Sequence, residues 1–447
     1  MRQRIAVVGT GVAGMSAAWL LSQRHSVTVY EQAPRVGGHA NTVEARWPGG
    51  ETCAVDTGFI VYNEENYPNL TALFRHLQVP TRKAEMDFAV SLDGGALEYG
   101  SARPAAMFAQ KRNLFRPRFW AMLRDVARFY REAPADEALR SEALLSIGDY
   151  LTSGGYCSAF LDDHLFPQAA AIWSSSVGSI RDYPAASLVR FFENHGLLKL
   201  VGRPQWRTVE GGSVVYMTKL AEQFAGELRL SRGVRRIRRT AGAVLIEDAN
   251  GGIDTFDQVV VATHANQALA MLEAPSEAER RLLGAFRYSQ NRAVLHTDRR
   301  LMPRRVAAWS SWNYIGERGD PHGRCVTYWM NRLQGFETPE PLFVTLNPHV
   351  EPDPARVQGL ETYEHPIFDA PAMTAQRRLW ELQGQQRTLF CGAHFGSGFH
   401  EDGLQAGLAA AEAVGGVRRP WSAPNESGRL FLGPVAAEGY EAAGLAA

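Results

Sequence analysis

Three glycines near the start of the chain have the spacing of a phosphate-binding turn. Gly9, Gly11 and Gly14 form G-x-G-x-x-G directly after the apolar run 5–8, and the residues that follow have helical periodicity. The first glycine permits a tight turn from strand to helix, the second lets the backbone approach a pyrophosphate, and the third lets the helix pack on the strand. The start of such a helix offers unpaired N–H groups and a partial positive charge to phosphates. The spacing therefore predicts a dinucleotide site.

An acidic residue follows at the position expected for ribose binding. The segment 27–30 predicts a second strand, which ends on Glu31, twenty residues after Gly11. A carboxylate there accepts hydrogen bonds from ribose hydroxyls. G-x-G-x-x-G alone also occurs in glycine-rich turns of other α/β folds, but strand, glycines, helix, strand and acid in this order favour the nucleotide site.

Composition limits the classes of protein. The chain has 447 residues, 45% of them apolar, and 47 basic against 47 acidic side chains, which predicts a soluble globular protein of two domains. Zero net charge argues against a nucleic-acid partner. We expect no metal site and free thiols in a reducing cytoplasm, because metal-ligand spacing is absent among Cys53, Cys157, Cys325 and Cys391. Residues 1–4 lead straight into a core strand, so no signal peptide is expected, and no segment has the length and apolarity of a membrane span.

The residues after Glu31 resemble the flavin amine oxidase superfamily, which includes carotenoid desaturases. In that family an R-x-G-G segment lines the FAD pyrophosphate and approaches the flavin, and 35–38 here match it. Further similar segments are 56–63, 210–213, the strand ending at 263, and 389–414, where a strand, a G-[FY]-x-E motif and an alanine-rich helix from Leu404 onward close the family's FAD domain. The resemblance extends to about residue 417. It is strongest to bacterial flavoproteins with G-G-H-A-N-T and G-F-H-E-D-G-L-Q-A-G.

The resemblance implies an α/β fold with a Rossmann-type FAD-binding domain and an inserted α+β substrate domain. The FAD domain is expected to comprise 1–75, 203–285 and 385–420, and the substrate domain 76–202 and 286–384, with 421–447 as a C-terminal extension. No second dinucleotide fingerprint occurs, so a separate NAD(P)H domain is not expected. No cysteine occupies the region where some amine oxidases attach flavin, which implies non-covalent FAD. The motif and the resemblance together assign to the cofactor Gly9, Gly11, Val12, Ala13, Gly14, Glu31, Gln32, Arg35, Gly37, Gly38, His39, Thr57, Gly58, Phe59, Val234, Gly392, Gly403 and Leu404.

Candidate catalytic residues come from the same comparison. Phe399 matches a cage tyrosine of amine oxidases, and His400 and Glu401 follow it towards the helix; the alternative for each is a structural role. Asp56 is either functional or a turn cap. The flavin-proximal lysine of amine oxidases has no clear equivalent, and Arg292 is nearest in register. Further candidates for the pocket, with core packing as the alternative, are Trp173–Ser176 and 191–196.

A basic, aromatic-rich stretch suggests contact with a membrane. Residues 103–131 carry eight basic side chains against one acid, Asp125, with apolar residues interleaved. Such a helical segment is typical of a membrane-surface face, or of a solvated helix whose arginines extend over the core.

Three functions agree with these observations. The first is hydride removal by flavin N5 from an unsaturated or modified fatty acyl chain, giving dehydrogenation or isomerisation, as the likeness to fatty-acid isomerases and desaturases implies. The second is amine oxidation with oxygen as acceptor. The third is a non-catalytic FAD-binding partner of a lipid-modifying enzyme.

Overall fold

A five-stranded parallel sheet forms the centre of the nucleotide-binding half. The computed structural model describes residues 2–139, 145–173, 177–199, 202–319 and 325–435. The order of the parallel sheet is Glu227–Arg229, Ser26–Tyr30, Arg4–Val8, Gln258–Val261, Thr388–Phe390. Ile5 to Val8 are buried, as expected for a central parallel strand covered on both faces. The first strand, Arg4–Val8, lies between the later strands Ser26–Tyr30 and Gln258–Val261, so a crevice forms at the carboxyl end of this first strand.

Two long helices meet at that crevice. Helix Val12–Ser22 starts there and packs along the C-terminal helix His400–Val414. Their backbones come very close, because a Cβ atom on Gly407 would lie 2.1 Å from the Ala13 carbonyl oxygen. The C-terminal helix begins four residues before the predicted Leu404, so His400 and Glu401 lie in its first turn.

A seven-stranded mixed sheet forms the other half. All its pairings are antiparallel except that of Phe88–Leu92 with Trp312–Gly316. Its strands, in order, are Val357–Ile367, Arg287–His296, Phe343–Leu346, Cys325–Trp329, Trp312–Gly316, Phe88–Leu92 and Leu97–Gly100. Three smaller sheets complete the described strands. One consists of Val234–Arg239, Val244–Asp248 and Ile253–Phe256, and a second of Thr42–Arg46 and Thr52–Asp56. The third consists of Tyr62–Asn63, Trp206–Val209 and Thr81–Lys83.

Helices of the first insertion pack beside this sheet. The remaining α-helices of the described residues are Pro68–His76, Pro104–Met107, Pro117–Glu132, Ile147–Ser153, Ser158–Phe160, Phe166–Trp173, Val177–Arg181, Ala185–Asn194, Val214–Glu222, Ala265–Met271, Glu277–Leu283, Met330–Gln334 and Ala370–Gln376. The parallel sheet takes its strands from 4–30, 227–261 and 388–390, and the seven-stranded sheet from 88–100 and 287–367. The domain boundaries themselves stay a prediction.

The segment expected to be an extension packs on the body as far as it is described. Trp421 stacks on Trp19 with ring centroids 5.9 Å apart. The buried Arg419 donates to the side-chain oxygen of Asn69 at 2.9 Å, and Arg429 lies over the ring of Tyr67. Residues up to 435 therefore help to hold helix Pro68–His76 against the C-terminal helix.

Candidate functional site

The three glycines of the first turn have three different surroundings. Gly9 has φ +99°, and a Cβ there would lie 2.9 Å from the Ala262 carbonyl oxygen. A Cβ on Gly14 would lie 1.9 Å from the Gly9 carbonyl oxygen, so helix and strand touch at that point. A Cβ on Gly11 would meet nothing within 4 Å. Gly11 is thus not required by packing within the protein, and the open space beside it is a cradle that a side chain would fill.

The helix that follows supplies donors to this cradle. Helix Val12–Ser22 has no side-chain cap and no acidic residue in its first turn. The first N–H groups of a helix have no intrahelical acceptor, and together with the helix dipole they favour an anion. The second glycine segment borders the same space, because a Cβ on Gly38 would lie 3.2 Å from Gly11 Cα. The sequence-predicted pyrophosphate residues are therefore together at one edge of the sheet.

Glu31 holds the turn in place. Its Oε2 accepts hydrogen bonds from Thr10 N at 2.9 Å and Thr10 Oγ1 at 2.5 Å, and its Oε1 accepts from Ala33 N at 2.9 Å. The expected ribose contact stays a prediction. On the adenine side, the Val234 strand lies next to Gln32, since a Cβ on the preceding Gly233 would lie 3.0 Å from Gln32 Cβ.

The predicted flavin-side segments also converge. Gly37 and Gly38 have positive φ, and both Arg35 guanidinium N–H groups donate to the Gly38 carbonyl oxygen at 3.1 Å. Arg35 therefore clamps its own loop. The segment containing Thr57 lies directly on this loop: a Cβ on Gly58 would lie 2.2 Å from the His39 carbonyl oxygen. That oxygen accepts a hydrogen bond from Phe59 N at 2.8 Å.

The C-terminal segment closes the same edge. Gly403 faces the first helix, because its Cβ would lie 3.0 Å from a methyl group of Val12, and Leu404 is fully buried beside it. Gly392 has φ +155°, and a Cβ there would lie 2.8 Å from the ring of His394. The starts of both long helices therefore lie side by side, at the edge of the sheet where the cofactor is expected.

His400 is held between two aromatic residues. Its ring stacks on Phe59 with centroids 3.9 Å apart and planes 9° from parallel, and its Nε2 lies 2.5 Å from the hydroxyl of Tyr216. Burial lowers the pKa of His400 to about 3 and raises that of Tyr216 well above its usual value. The tyrosine therefore donates to a neutral imidazole, and His400 links three segments of the site.

Phe399 lies in an aromatic group. Phe191 stacks on it at 4.6 Å and 21°, Trp173 meets it edge-on at 6.5 Å, and the His195 ring lies at 5.6 Å. Two of the sequence-predicted pocket segments thus meet Phe399, whereas Ser174 to Ser176 lie outside the described residues. Phe192 is fully buried behind them, in agreement with core packing.

His195 presents a basic nitrogen to this group. Its Nδ1 is 2.9 Å from the Phe191 carbonyl oxygen, and an oxygen can only accept, so Nδ1 carries the proton. Its Nε2 is buried and has no hydrogen-bond partner among the described residues. Burial lowers the pKa of His195 to about 3. A neutral imidazole with a free lone pair therefore stands beside Phe399.

Glu401 and Arg292 have structural roles in this geometry. The carboxylate of Glu401 is buried and accepts from Asn69 N, Asn69 Nδ2, Leu70 N and Gln405 Nε2 at 2.9 to 3.1 Å. It caps helix Pro68–His76, so we do not retain it as a catalytic candidate. Arg292, the residue nearest in register to the amine oxidases' lysine, is partly exposed and pairs with Glu351 at 2.5 Å.

Asp56 is a buried carboxylate that connects separate segments of the chain, rather than a turn cap. Its Oδ1 accepts from Thr42 Oγ1 and from the N–H and hydroxyl of Ser213 at 2.7 to 2.8 Å, and its Oδ2 accepts from Gln334 at 3.1 Å. Burial raises the pKa of Asp56 to about 6 despite these donors. It fixes the strand that leads into Thr57.

Sequence reasoning missed a cluster of imidazoles beside the R-x-G-G loop. The His39 ring lies 5.4 Å from that of His365, 6.1 Å from that of His264 and 4.9 Å from that of Tyr363. Burial lowers the pKa of His39 well below its usual range, and the neighbouring histidines lower it further. The Nδ1 of His264 also donates to the Glu364 carboxylate at 3.1 Å. More than 200 residues separate His39 from its partners in sequence, so no local pattern could reveal the cluster.

Similarity to known proteins identifies the family of this chain. A family model described as flavin containing amine oxidoreductase matches residues 12–311, well over half of the chain. The chain belongs to this family.

The chain is also similar to one curated protein over a short segment and to solved structures in its fold. A carotenoid phi-ring synthase of Streptomyces griseus is 38% identical over 74 residues, which are 16% of this chain and only 14% of that protein. A fatty acid isomerase of P. acnes that produces CLA shares the fold with TM-score 0.62 and 14% identity, over 92% of this chain and 98% of its own. Cyclohexylamine oxidase of Brevibacterium oxydans shares it with TM-score 0.64 and 15% identity, over 93% and 99%.

These findings confirm the superfamily and the fold class predicted from sequence. By its family the chain is a flavin-containing oxidoreductase. The open cradle at Gly11, the two helix ends and the close-packed Gly58 loop fit a flavin dinucleotide. Among the described helices, none combines the length and apolarity that crossing a bilayer would require.

Proposed function

We propose that this flavoenzyme binds FAD non-covalently and removes hydride from a hydrophobic substrate, an unsaturated or modified fatty acyl chain that it dehydrogenates or isomerises. The aromatic group at Phe399 carries the proposal. Each ring that contacts Phe399 is apolar or, at His195, neutral. Such a surface favours a hydrocarbon chain over a charged group, because a charge there would lose its hydration. The likeness to a fatty acid isomerase supports the same substrate class.

The cofactor would be held by the residues that meet at the sheet edge. Gly11 and the start of helix Val12–Ser22 fit the pyrophosphate, Glu31 the ribose, and the Gly38 and Gly58 loops the flavin side. The flavin, when bound, supplies the hydride acceptor. Cys391 is the cysteine nearest in sequence to the C-terminal flavin segment. It is fully buried, and burial raises the pKa of its thiol to about 12, which favours an unreactive thiol and a non-covalent cofactor.

His195 is our candidate for the proton acceptor. Loss of a hydride from one carbon and a proton from its neighbour forms one double bond, and in this proposal the unpartnered Nε2 of His195 takes that proton. Returning the hydride and the proton at shifted positions gives an isomer without net oxidation. The faces of the Phe399 and Phe191 rings can stabilise positive charge on the acyl chain of the substrate after hydride loss. The rings also exclude water from that charge.

The first test is anaerobic absorbance of the purified holoenzyme. Unsaturated fatty acids or phospholipids are expected to bleach the flavin bands, and product analysis should then show a new or moved double bond. Movement of a double bond without lasting bleaching would indicate a redox-neutral isomerase. If no lipid is altered and the flavin stays oxidised, the acyl-chain proposal is wrong. Denaturation in acid should release free FAD into the supernatant; a flavin that stays with the precipitate would refute non-covalent binding.

Amine oxidation is the second candidate. The fold similarity to cyclohexylamine oxidase favours it. Amines should then bleach the flavin anaerobically and release hydrogen peroxide in air. Bleaching by amines and not by lipids would reverse the order of the two proposals.

A further inference from the structure

Exposed apolar side chains concentrate on one small protrusion far along the chain from the nucleotide motif. The basic stretch 103–131 is not one helix: prolines start new segments, giving helix Pro104–Met107, the 3₁₀ turn Lys111–Phe115 and helix Pro117–Glu132. Phe115, at the tip of the turn, is 85% exposed, Leu114 beside it is 43% exposed, and Trp120 is 48% exposed. Three large apolar side chains exposed to solvent within seven residues are typical of a surface that binds a partner.

Two carbonyl groups of this turn are already paired. The indole N–H of Trp120 donates to the Leu114 carbonyl oxygen at 2.9 Å, and the Trp120 ring lies 6.0 Å from that of Phe108. The Arg116 N–H donates to the Asn113 carbonyl oxygen. These two paired carbonyls can leave water at lower cost, because an unpaired carbonyl in an apolar medium is expensive.

A distant segment extends the same surface. The 3₁₀ turn Val306–Ala308 packs on helix Pro104–Met107, and Val306 is 68% exposed. We call the exposed residues Leu114, Phe115, Trp120 and Val306 the apolar tip.

Basic side chains surround the apolar tip. Arg103, Lys111 and Arg112 are exposed and form no ion pair with any described acid. The pKa of Arg116 is lowered by its burial and, next, by the positive charges of Arg112, Arg318 and Arg305. The single acid of the stretch, Asp125, is buried and turned away, bonded to Cys157 N at 2.8 Å.

We propose that the apolar tip and its basic surround dock the enzyme on the surface of an anionic phospholipid bilayer. Aromatic and aliphatic side chains enter the interface while lysine and arginine meet the headgroup phosphates, an arrangement typical of peripheral binding. The charge favours an anionic bilayer over a neutral protein surface. The Phe115 ring is almost fully exposed, so it is free to insert among acyl chains. This inference stands without the proposed substrate, although it would bring a lipid-soluble substrate to the enzyme.

The test is sedimentation of the full-length holoenzyme with vesicles. Binding is expected to vesicles of phosphatidylcholine mixed with phosphatidylglycerol, to be weaker on phosphatidylcholine alone, and to fall with salt. Phe115→Ser should weaken binding about 10- to 100-fold, because a buried phenylalanine contributes that much. Lys111→Gln and Arg103→Gln should each weaken it about 5-fold on the anionic vesicles only.

Ile253→Ser is the matched control. Ile253 is 64% exposed on the strand Ile253–Phe256, outside the basic stretch, and its loss removes a comparable apolar side chain. This control and the three variants should melt like the wild type and retain flavin, and Ile253→Ser should bind vesicles like the wild type.

The proposal is overturned if the wild type does not bind anionic vesicles, or if Phe115→Ser binds as tightly as Ile253→Ser. It is also overturned if sedimentation velocity shows a dimer that requires Phe115, because the partner would then be a second copy. None of these readings depends on turnover, so failure here is separate from failure of the proposed reaction.

Discussion

Replacing Gly11 by alanine should separate cofactor binding from folding. Gly11 has φ −59° and ψ 175°, a conformation that alanine adopts freely, and the new Cβ would meet no protein atom within 4 Å. The loss of glycine's freedom in the unfolded chain and the poorer helix cap have opposite signs, so we expect the free energy of unfolding of the apoprotein to change by less than about 1 kcal/mol. The methyl group would instead stand in the cradle. Loss of one charge-assisted hydrogen bond to a phosphate costs about 1.5–3 kcal/mol, which weakens FAD binding about 10- to 150-fold.

Gly14→Ala is the contrasting variant in the same motif. Its Cβ would lie 1.9 Å from the Gly9 carbonyl oxygen, so the first helix must move away from its strand. Overpacking of this kind typically costs about 1–3 kcal/mol, and here a rigid backbone is the neighbour. We expect Gly14→Ala to lower the midpoint of urea unfolding of the apoprotein, whereas Gly11→Ala should leave it nearly unchanged.

The assay combines urea unfolding of both apoproteins with titration by FAD, followed through quenching of flavin fluorescence. The reasoning is refuted if Gly11→Ala binds FAD as tightly as the wild type. It is equally refuted if Gly11→Ala destabilises the apoprotein as much as Gly14→Ala, since Gly11 would then serve packing and not a ligand.

Three further predictions concern single buried side chains. Glu401→Gln should lower the free energy of unfolding by about 1–3 kcal/mol, because the new amide N–H₂ must face a backbone donor such as Leu70 N. Turnover per bound flavin should stay unchanged. A specific loss of turnover would restore a catalytic role for Glu401. Burial raises the pKa of Asp56 from its ordinary value of 3.8 to about 6, so the folded protein holds the proton more tightly than the unfolded chain does. Stability should therefore fall by about 3 kcal/mol as pH rises from 4 to above 6. Asp56→Asn should flatten that part of the curve of unfolding free energy against pH, and an unchanged slope would assign it to other groups. His195→Phe should retain flavin and its melting temperature but lower turnover of an acyl substrate about 100-fold or more, the typical contribution of general acid–base catalysis; unchanged turnover would exclude His195 as proton acceptor.

The sequence by itself determined the nucleotide-binding unit. The strand, the glycine turn, the helix and Glu31 lie within some thirty residues, and each step follows from local chemistry: apolar periodicity, backbone freedom at glycine, and a carboxylate at a strand end. The R-x-G-G segment at Arg35 and the C-terminal motif at Phe399 extended this to a flavin family, which the comparison with known proteins confirmed. Local patterns suffice to predict the nucleotide-binding unit because its residues are neighbours both in sequence and in space.

Tertiary structure decided what the remaining candidates do. Glu401 and Asp56 looked like possible reactive acids, but most of the donors that occupy them come from residues 157 to 332 positions away, such as Ser213 and Asn69. The cluster around His39 and the free Nε2 of His195 also depend on distant segments meeting. The role of a titratable side chain is set by its burial and its partners, and both are properties of the packed fold that residue type and spacing do not contain.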